Sequence, residues 1–161
     1  MKKIDVAQTV RDLEAGKTPE WIGEHLRIYR ESGGLEGHLF DSTVAGGNGL
    51  VPSLLLTTTG RHSGEFRTSP LFYGSIENAY IVVGSKGGAD THPGWYLNLL
   101  ANPVVKVQVA KEHFNARARI ATGQERTRLW EQMVQLYPPY RDYEKKTRRQ
   151  IPIVVLEKQP A

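Results

Sequence analysis

Cysteine is absent from the 161-residue chain, and its five histidines lie far apart, at 25, 38, 62, 92 and 113. Without cysteine the chain has no disulfide, thiolate ligand or cysteine nucleophile. The histidine spacings do not form a zinc-ligand pair, and no G-x-S-x-G elbow is present, so zinc and serine hydrolases are disfavoured. No apolar run is long enough to span a membrane. We therefore expect neither a metal site nor a membrane-spanning helix.

The charge balance is basic, with a formal net charge of +4. Such a balance favours anionic partners, and it leaves nucleic acid, an anionic membrane and a phosphorylated cofactor open. Residues 1–8 contain no signal-peptide hydrophobic core, which predicts a cytoplasmic location. Peripheral attachment at the inner face of the cell membrane stays open, because the apolar stripe of residues 21–29 and the cationic segment 141–149 could together bind an anionic bilayer.

The pattern along the chain predicts one globular domain with two parts. Residues 1–33 form an N-terminal helical arm, in which Asp5 caps a first helix with Gln8 in capping-box position. Residues 34–161 form a β-rich body with six short strands, mainly linked by hairpins. The predicted strands are residues 54–59, the run that ends at Tyr73, and residues 79–84, 105–109, 113–120 and 151–156. This count favours a small antiparallel barrel, an α+β fold of mainly β structure.

Two further helices are predicted within the β-rich body. One begins at Thr91 as N-cap and continues to Asn102, with Trp95 on its apolar side. The other follows Thr122, which forms a capping box with Glu125.

The segment Leu54–Ser69 contains a strand that ends in a loop rich in donors. Arg61, His62, Ser63 and Arg67 offer cationic and neutral donors around Gly60 and Gly64. Guanidinium groups match phosphate oxygens, and glycines let backbone N–H groups approach an anion. The loop therefore suits a phosphate, although a solvated basic hairpin is the plainer alternative.

A second strand ends in a similar loop. Ala79–Gly84 reads as a strand and runs directly into Ser85, Lys86 and two glycines. Two strand-end loops with cations and glycines indicate one anionic ligand held between them. Neither loop is a Walker loop or a G-x-G-x-x-G turn, so those two nucleotide-binding motifs are excluded.

A third group consists of three tyrosines around a double proline. Pro138 and Pro139 break the helix after Tyr137, so Tyr140 and Tyr143 lie around a bent segment. Tyrosine combines an apolar ring with a polar tip, which suits it to hold a flat acceptor and to donate to an oxygen that gains charge.

Five segments in series resemble the deazaflavin-dependent nitroreductases. The segments are Leu54–Gly64, Gly84–Gly88, His92–Pro103, Tyr137–Tyr143 and Ile151–Leu156. The resemblance implies a six-stranded antiparallel split β-barrel, similar to FMN-binding proteins, and the reduced coenzyme F-420 as cofactor. It covers the chain from about residue 50 to the C-terminus.

The resemblance also implies roles for individual residues. Arg61, Arg67 and Lys86 are expected to bind the phosphate and acidic tail of the coenzyme, and His62 and Ser63 belong to the same loop. Ser85, Pro70, Trp95 and Asn98 are expected near the deazaflavin or its linker. The substrate pocket is expected to comprise Phe72, Tyr137, Tyr140 and Tyr143. Of these side chains, Tyr140, Tyr137, Tyr143 and Ser85 are the candidate catalytic residues, with Tyr140 preferred.

The sequence thus predicts a reductase that passes a hydride from reduced F-420 to a quinone, a nitroaromatic compound or an activated enone. An FMN-binding split-barrel oxidoreductase is the first alternative, since the residues alone do not distinguish the two cofactors. A non-catalytic cofactor carrier or a basic nucleic-acid-binding protein is the second. Nucleic acid is disfavoured because Arg117 and Arg119 alternate with Phe114, which places the cations opposite the aromatic ring. No oligomeric state follows from the sequence.

Overall fold

The computed structural model describes residues 3–160, so the first two residues of the predicted arm and Ala161 lie outside the described part. Five α-helices occur in the described residues: α1 (Val6–Glu14), α2 (Glu20–Glu31), α3 (Gly94–Ala101), α4 (Gly123–Leu136) and α5 (Pro139–Lys146). Eight strands occur there as well: β1 (Leu39–Asp41), β2 (Leu50–Thr59), β3 (Phe66–Phe72), β4 (Gly74–Ile76), β5 (Ala79–Val83), β6 (Val104–Val109), β7 (Glu112–Ile120) and β8 (Ile153–Lys158).

The strands form one curled antiparallel sheet. Its order is β1-β2-β6-β7-β8-β5-β4, and β3 pairs with β2 beside this path. Because β3 also contacts β5, the sheet curls into a half-barrel. The predicted count of six strands is wrong, since the described residues contain eight. The two additional strands, β1 and β4, have only three residues each, which is too short to show the two-residue alternation of a strand.

Apolar residues are buried on both sides of the sheet. Inside the half-barrel, β2 and β6 contribute alternating apolar side chains, among them Leu54, Leu56, Val105 and Val107. On the outside, α4 and α5 pack against the other faces of β5 and β8. The predicted alternation of β6 and β7 is confirmed by their antiparallel register, which pairs Val105 with Ala116.

One of the predicted helix starts and one of the predicted capping boxes differ from the structure. Asp5 caps α1 as expected, since its Oδ1 accepts from the Gln8 N–H at 3.0 Å. Helix α3, however, begins at Gly94 after Pro93 and not at Thr91. Pro93 is the N-cap, with φ −61° and ψ 149°. A proline disfavours helical backbone at the preceding residue, so a helix that includes His92 is unfavourable.

Helix α4 begins after Thr122 as predicted, but the capping box is wrong. The Thr122 side chain makes no capping hydrogen bond. The Glu125 carboxylate instead accepts two bonds from the Arg119 guanidinium, at 2.6 and 2.9 Å. A bidentate ion pair with a guanidinium is stronger than a hydrogen bond to one backbone N–H. This explains why Glu125 pairs with Arg119 and does not take part in a capping box.

The second helix of the arm inserts a tyrosine into the body. Tyr29 is fully buried. Its hydroxyl donates to the Ser53 carbonyl at 3.0 Å, with the Gln108 carbonyl at 3.3 Å, and accepts from the Ala110 N–H at 2.8 Å. Ala110 has a φ of 51° in the turn between β6 and β7. The hydroxyl therefore joins the arm, β2 and a strained hairpin turn.

None of the helices in residues 3–160 is long and apolar enough to cross a membrane.

We predict that Tyr29→Phe lowers the free energy of unfolding by about 1–3 kcal/mol, because it leaves the part-buried Ala110 N–H without its acceptor. Urea unfolding followed by circular dichroism measures this difference. Tyr80→Phe is the matched control, since the Tyr80 hydroxyl has no hydrogen-bond partner among the described residues. Equal midpoints for the two variants would show that the Tyr29 hydroxyl contributes no net stability.

Candidate functional site

One cavity of about 720 Å³ lies between the half-barrel, α5 and the N-terminal arm. Every residue of the predicted site lines it: Arg61, His62, Ser63, Arg67, Pro70, Phe72, Ser85, Lys86, Trp95, Asn98, Tyr137, Tyr140 and Tyr143. Both helices of the arm line it as well, with Val6, Leu13, Trp21, Ile22 and His25 among the contributing residues. The fold therefore brings the two predicted loops and the tyrosines to one place, under a cover formed by the arm.

The loop between β2 and β3 is anchored by an amide. The Asn98 Oδ1 accepts from the Arg61 backbone N–H at 3.1 Å and from its Nη1 at 2.9 Å. The Asn98 Nδ2 donates to the Thr58 Oγ1 at 3.1 Å. Asn98 is buried, and both ends of its amide already have partners. This geometry indicates that Asn98 positions Arg61. Asn98 also lines the cavity, and its place near the deazaflavin or its linker stays a prediction.

The remaining polar residues of this loop are exposed. Arg67 lies 3.5 Å from Glu65, and both side chains are more than half exposed. An exposed ion pair contributes little, so the Arg67 guanidinium is available to another anion. The Ser63 Oγ accepts from the Glu65 N–H at 3.1 Å, and His62 is open to solvent.

The second loop has a backbone conformation that suits an anion. Ser85 is in the right-handed helical region, and the following residues, Lys86 and Gly87, have φ values of 47° and 63°. A right-handed residue followed by a left-handed one turns successive N–H groups toward one point, which forms an anion-binding nest. Lys86 adds its ammonium to the same loop. The glycine is required, since a Cβ at position 87 would lie 2.8 Å from Val10 of α1.

The Lys86 ammonium is engaged by the arm. It donates to the Thr91 Oγ1 at 3.0 Å and lies 3.5 Å from the Glu14 carboxylate of α1. Thr91 in turn donates to Glu14 at 2.8 Å. The Lys86 side chain is only 12% exposed. A carboxylate of the arm therefore occupies the position beside Lys86 where the sequence predicts an anionic group of the coenzyme.

The three tyrosine hydroxyls differ in their partners. The Tyr137 hydroxyl lies 3.0 Å from the Ala45 carbonyl and 3.1 Å from the Tyr143 hydroxyl. Because a carbonyl only accepts, Tyr137 donates to Ala45, and Tyr143 donates to Tyr137. The Tyr140 hydroxyl has no hydrogen-bond partner within residues 3–160, although Tyr140 lines the cavity. Tyr140 is thus the tyrosine with a free donor.

Burial controls the protonation of these phenols. It raises the pKa values of Tyr137 and Tyr140 well above their usual range, and the neighbouring Tyr143 raises both further. A phenol with a raised pKa keeps its proton, so Tyr140 stays a neutral hydrogen-bond donor across the physiological pH range.

Aromatic rings form one wall of the cavity. Phe72 and Tyr137 meet edge to face with centroids 5.0 Å apart, and Tyr137 and Tyr140 do the same at 5.0 Å. Trp95 lines the cavity and also belongs to the apolar core of the half-barrel. It therefore has both roles that the sequence left open, as core residue and as cavity wall.

One residue of the cavity that the sequence did not indicate is His25. Its Nε2 lies 2.8 Å from the Gly37 carbonyl and 3.1 Å from the Ser53 Oγ, and its ring packs 4.8 Å from Phe40. Burial lowers the pKa of His25. In the sequence it is one member of an apolar helix stripe, and only its polar ring among apolar neighbours could have indicated a special position. No group of three potential metal-binding side chains occurs in the described residues.

Comparisons with known proteins identify the family of this chain. The family model of the F420H(2)-dependent quinone reductases matches residues 21–158. An F420H(2)-dependent quinone reductase of Mycobacterium tuberculosis is 38% identical over 135 residues, which cover 82% of this chain and 86% of that protein. A solved F420-H2 dependent reductase is 43% identical, with a TM-score of 0.62, and the match covers 66% of this chain and 94% of that one. Another solved structure, described as a domain-swapped dimer, is 38% identical with a TM-score of 0.65. The match covers 86% of this chain and 98% of that one. The resemblance seen in the sequence is thereby confirmed, and the chain belongs to the F420H(2)-dependent quinone reductase family.

Proposed function

We propose that this protein catalyses hydride transfer from reduced coenzyme F-420 to a quinone. The observation that carries the proposal is that one cavity joins two loops with cationic side chains to a tyrosine with a free hydroxyl donor. Family membership and the names of the relatives support the same coenzyme and acceptor. Nitroaromatic compounds and activated enones are further acceptors, because they share a planar conjugated system with an oxygen that gains charge.

The residues of the cavity fit an anionic coenzyme. Arg61, Arg67 and Lys86 provide three cations, and the nest at residues 85–87 provides backbone N–H groups. Ser85 also lines the cavity. When bound, the reduced deazaflavin supplies the hydride, while the protein supplies position and polarity. FMN is the alternative cofactor, and spectral titration of the purified protein with F-420 and with FMN separates the two.

The acceptor is placed against the aromatic wall. Phe72 and Tyr137 provide flat surfaces, and Tyr140 provides the donor. A hydrogen bond from Tyr140 to the acceptor oxygen becomes stronger as that oxygen gains negative charge, which stabilises the transition state. Tyr137 and Tyr143 hold this arrangement through their mutual bond and the bond to Ala45.

Three finer assignments belong to the same proposal. The half-barrel is a split barrel similar to FMN-binding proteins. Residues 1–33 act as an arm that covers the coenzyme-binding part, residues 34–161, because both arm helices line the cavity. Peripheral attachment to a membrane is supported by Leu39 and Leu50, which are exposed on paired strands.

Removing one cation should weaken coenzyme binding. Arg61→Ala and Lys86→Ala should each lower the affinity for F-420 about tenfold to a hundredfold, since a charge-assisted bond contributes roughly 1.5–3 kcal/mol. Titration followed by coenzyme fluorescence measures the affinity. Arg117→Ala, which removes an exposed cation of β7 outside the cavity, is the control. Parental affinity in both test variants would refute the assignment of the two loops.

Removing the carboxylate beside Lys86 should have the opposite effect. Glu14→Gln should raise the affinity for F-420 about twofold to fivefold, because a partly exposed ion pair of up to about 1 kcal/mol no longer competes with the coenzyme. Glu20→Gln neutralises an exposed carboxylate of α2 as the matched control. Unchanged or weaker binding in Glu14→Gln would show that the arm does not compete for Lys86.

Removing the free phenol should affect the acceptor and leave the coenzyme bound. Tyr140→Phe keeps the ring and should lower quinone turnover about fivefold to a hundredfold, which corresponds to a loss of roughly 1–3 kcal/mol of transition-state stabilisation. Affinity for F-420 should barely change. Tyr80→Phe, outside the cavity, is the control. Parental turnover by Tyr140→Phe with every acceptor would exclude Tyr140 as the donor.

A further inference from the structure

Arg149 lies behind the loop that bears Ser85 and Lys86. Its Nε donates to the Ala89 carbonyl at 2.7 Å, and its Nη2 donates to the Ser85 carbonyl at 2.8 Å. Its Nη1 donates to the Gly84 carbonyl and to the His92 Nδ1, both at 3.1 Å. Four of the five N–H bonds of a guanidinium are thus used inside the protein. In the sequence, Arg149 is only the last cation of a basic segment.

The contacts of Arg149 determine which way the loop's N–H groups point. The carbonyl and the N–H of a trans peptide point in opposite directions, and no cis peptide occurs in the described residues. Arg149 binds the carbonyls of Gly84 and Ser85, so the N–H groups of Ser85 and Lys86 in the same peptide units point away from it. Those two residues line the cavity and Arg149 does not. The guanidinium therefore lies on the carbonyl side of the nest.

The loop needs such an anchor because its backbone is strained. Lys86 has a φ of 47°, which is costly for a residue with a Cβ, and the next two glycines also have positive φ. Strained residues persist only where the surrounding contacts hold them. At Gly88 a Cβ would lie 3.0 Å from the Tyr143 carbonyl, so the loop is also packed closely on α5.

His92 and Thr147 complete the anchor. The His92 Nδ1 accepts from Arg149, so the ring is neutral with its proton on Nε2. Burial, and then the nearby guanidinium, lower the pKa of His92. The Thr147 hydroxyl donates to the Asp90 carboxylate at 3.0 Å, which fastens the segment that bears Arg149 to the same loop.

We propose that Arg149 is a positioning residue for the coenzyme. It holds the carbonyls of Gly84, Ser85 and Ala89, and it thereby keeps the N–H groups of Ser85 and Lys86 directed into the cavity. The step from loop geometry to coenzyme binding rests on the proposed function, whereas the anchoring of the loop does not.

Hydrogen exchange and coenzyme titration of Arg149→Gln test the proposal. The readout amides are those of Gly88 and Ala89, which donate to the Ser85 and Lys86 carbonyls at 2.9 and 3.1 Å. Their exchange should become about tenfold faster, and the affinity for oxidised F-420 should fall about tenfold, because several bonds from a charged donor are lost. Arg148→Gln, which removes the exposed neighbouring cation, should change neither.

Arg149→Lys provides a second variant that keeps the charge. A lysine is a point donor that cannot bridge the carbonyls as a planar guanidinium does, so both effects should persist at about threefold. If the Gly88 and Ala89 amides of Arg149→Gln exchange at the parental rate, Arg149 does not anchor the loop. Where Arg149→Gln does not fold, the same result in Arg149→Lys leads to the same conclusion. Faster exchange with unchanged affinity would overturn the positioning role. A parental protein that does not bind F-420 would refute the proposed function, and the exchange measurement would still decide the anchor.

Discussion

Strand β8 is covered by apolar side chains on both faces, and the positions of the other elements depend on this double burial. Ile153 and Val155 face the helical layer of α4 and α5, whereas Val154 and Leu156 face the interior of the half-barrel. All four are fully buried, and burying each aliphatic side chain contributes roughly 1.5–3 kcal/mol. The registers of β5 and β7 against β8 are therefore strongly determined. The end of β5 leads directly into the loop with Ser85 and Lys86, and α5 contains Tyr140 and Tyr143, so two walls of the cavity depend on the same strand.

The two loops of the site have little regular structure of their own, and side chains from elsewhere hold their backbones. Asn98 of α3 holds the backbone and the guanidinium of Arg61, and Arg149 holds three carbonyls around Ser85. The arm adds a third kind of contact through Glu14 at Lys86. Cations and N–H groups that are held in place before the ligand binds lose less conformational freedom on binding, and this is how a rigid scaffold favours affinity.

Much of the fold could be predicted from the sequence, and the reasons differ between elements. Strands β6 and β7 followed from alternation, and the two loops and the tyrosines followed from motifs and the family resemblance. Short strands such as β1 and β4 left no pattern. The roles of Asn98 and Arg149 could not be predicted either, because their partners lie 37–40 and 57–65 positions away in the sequence. Such contacts depend on the register of the folded sheet, and a local pattern does not contain that information.

The anchor formed by Arg149 has a consequence for how this loop can change during evolution. Arg149 bonds to backbone carbonyls, which every residue type possesses, so Ser85 and Ala89 can be replaced without removing a single one of its acceptors. The arginine itself cannot be exchanged so freely, since another side chain lacks its planar set of donors. Ser85 lines the cavity, so a different side chain at this position would change the cavity wall while the acceptors of Arg149 stay in place. Gly87 and Gly88 lack that freedom, because a Cβ at either position would meet Val10 or Tyr143.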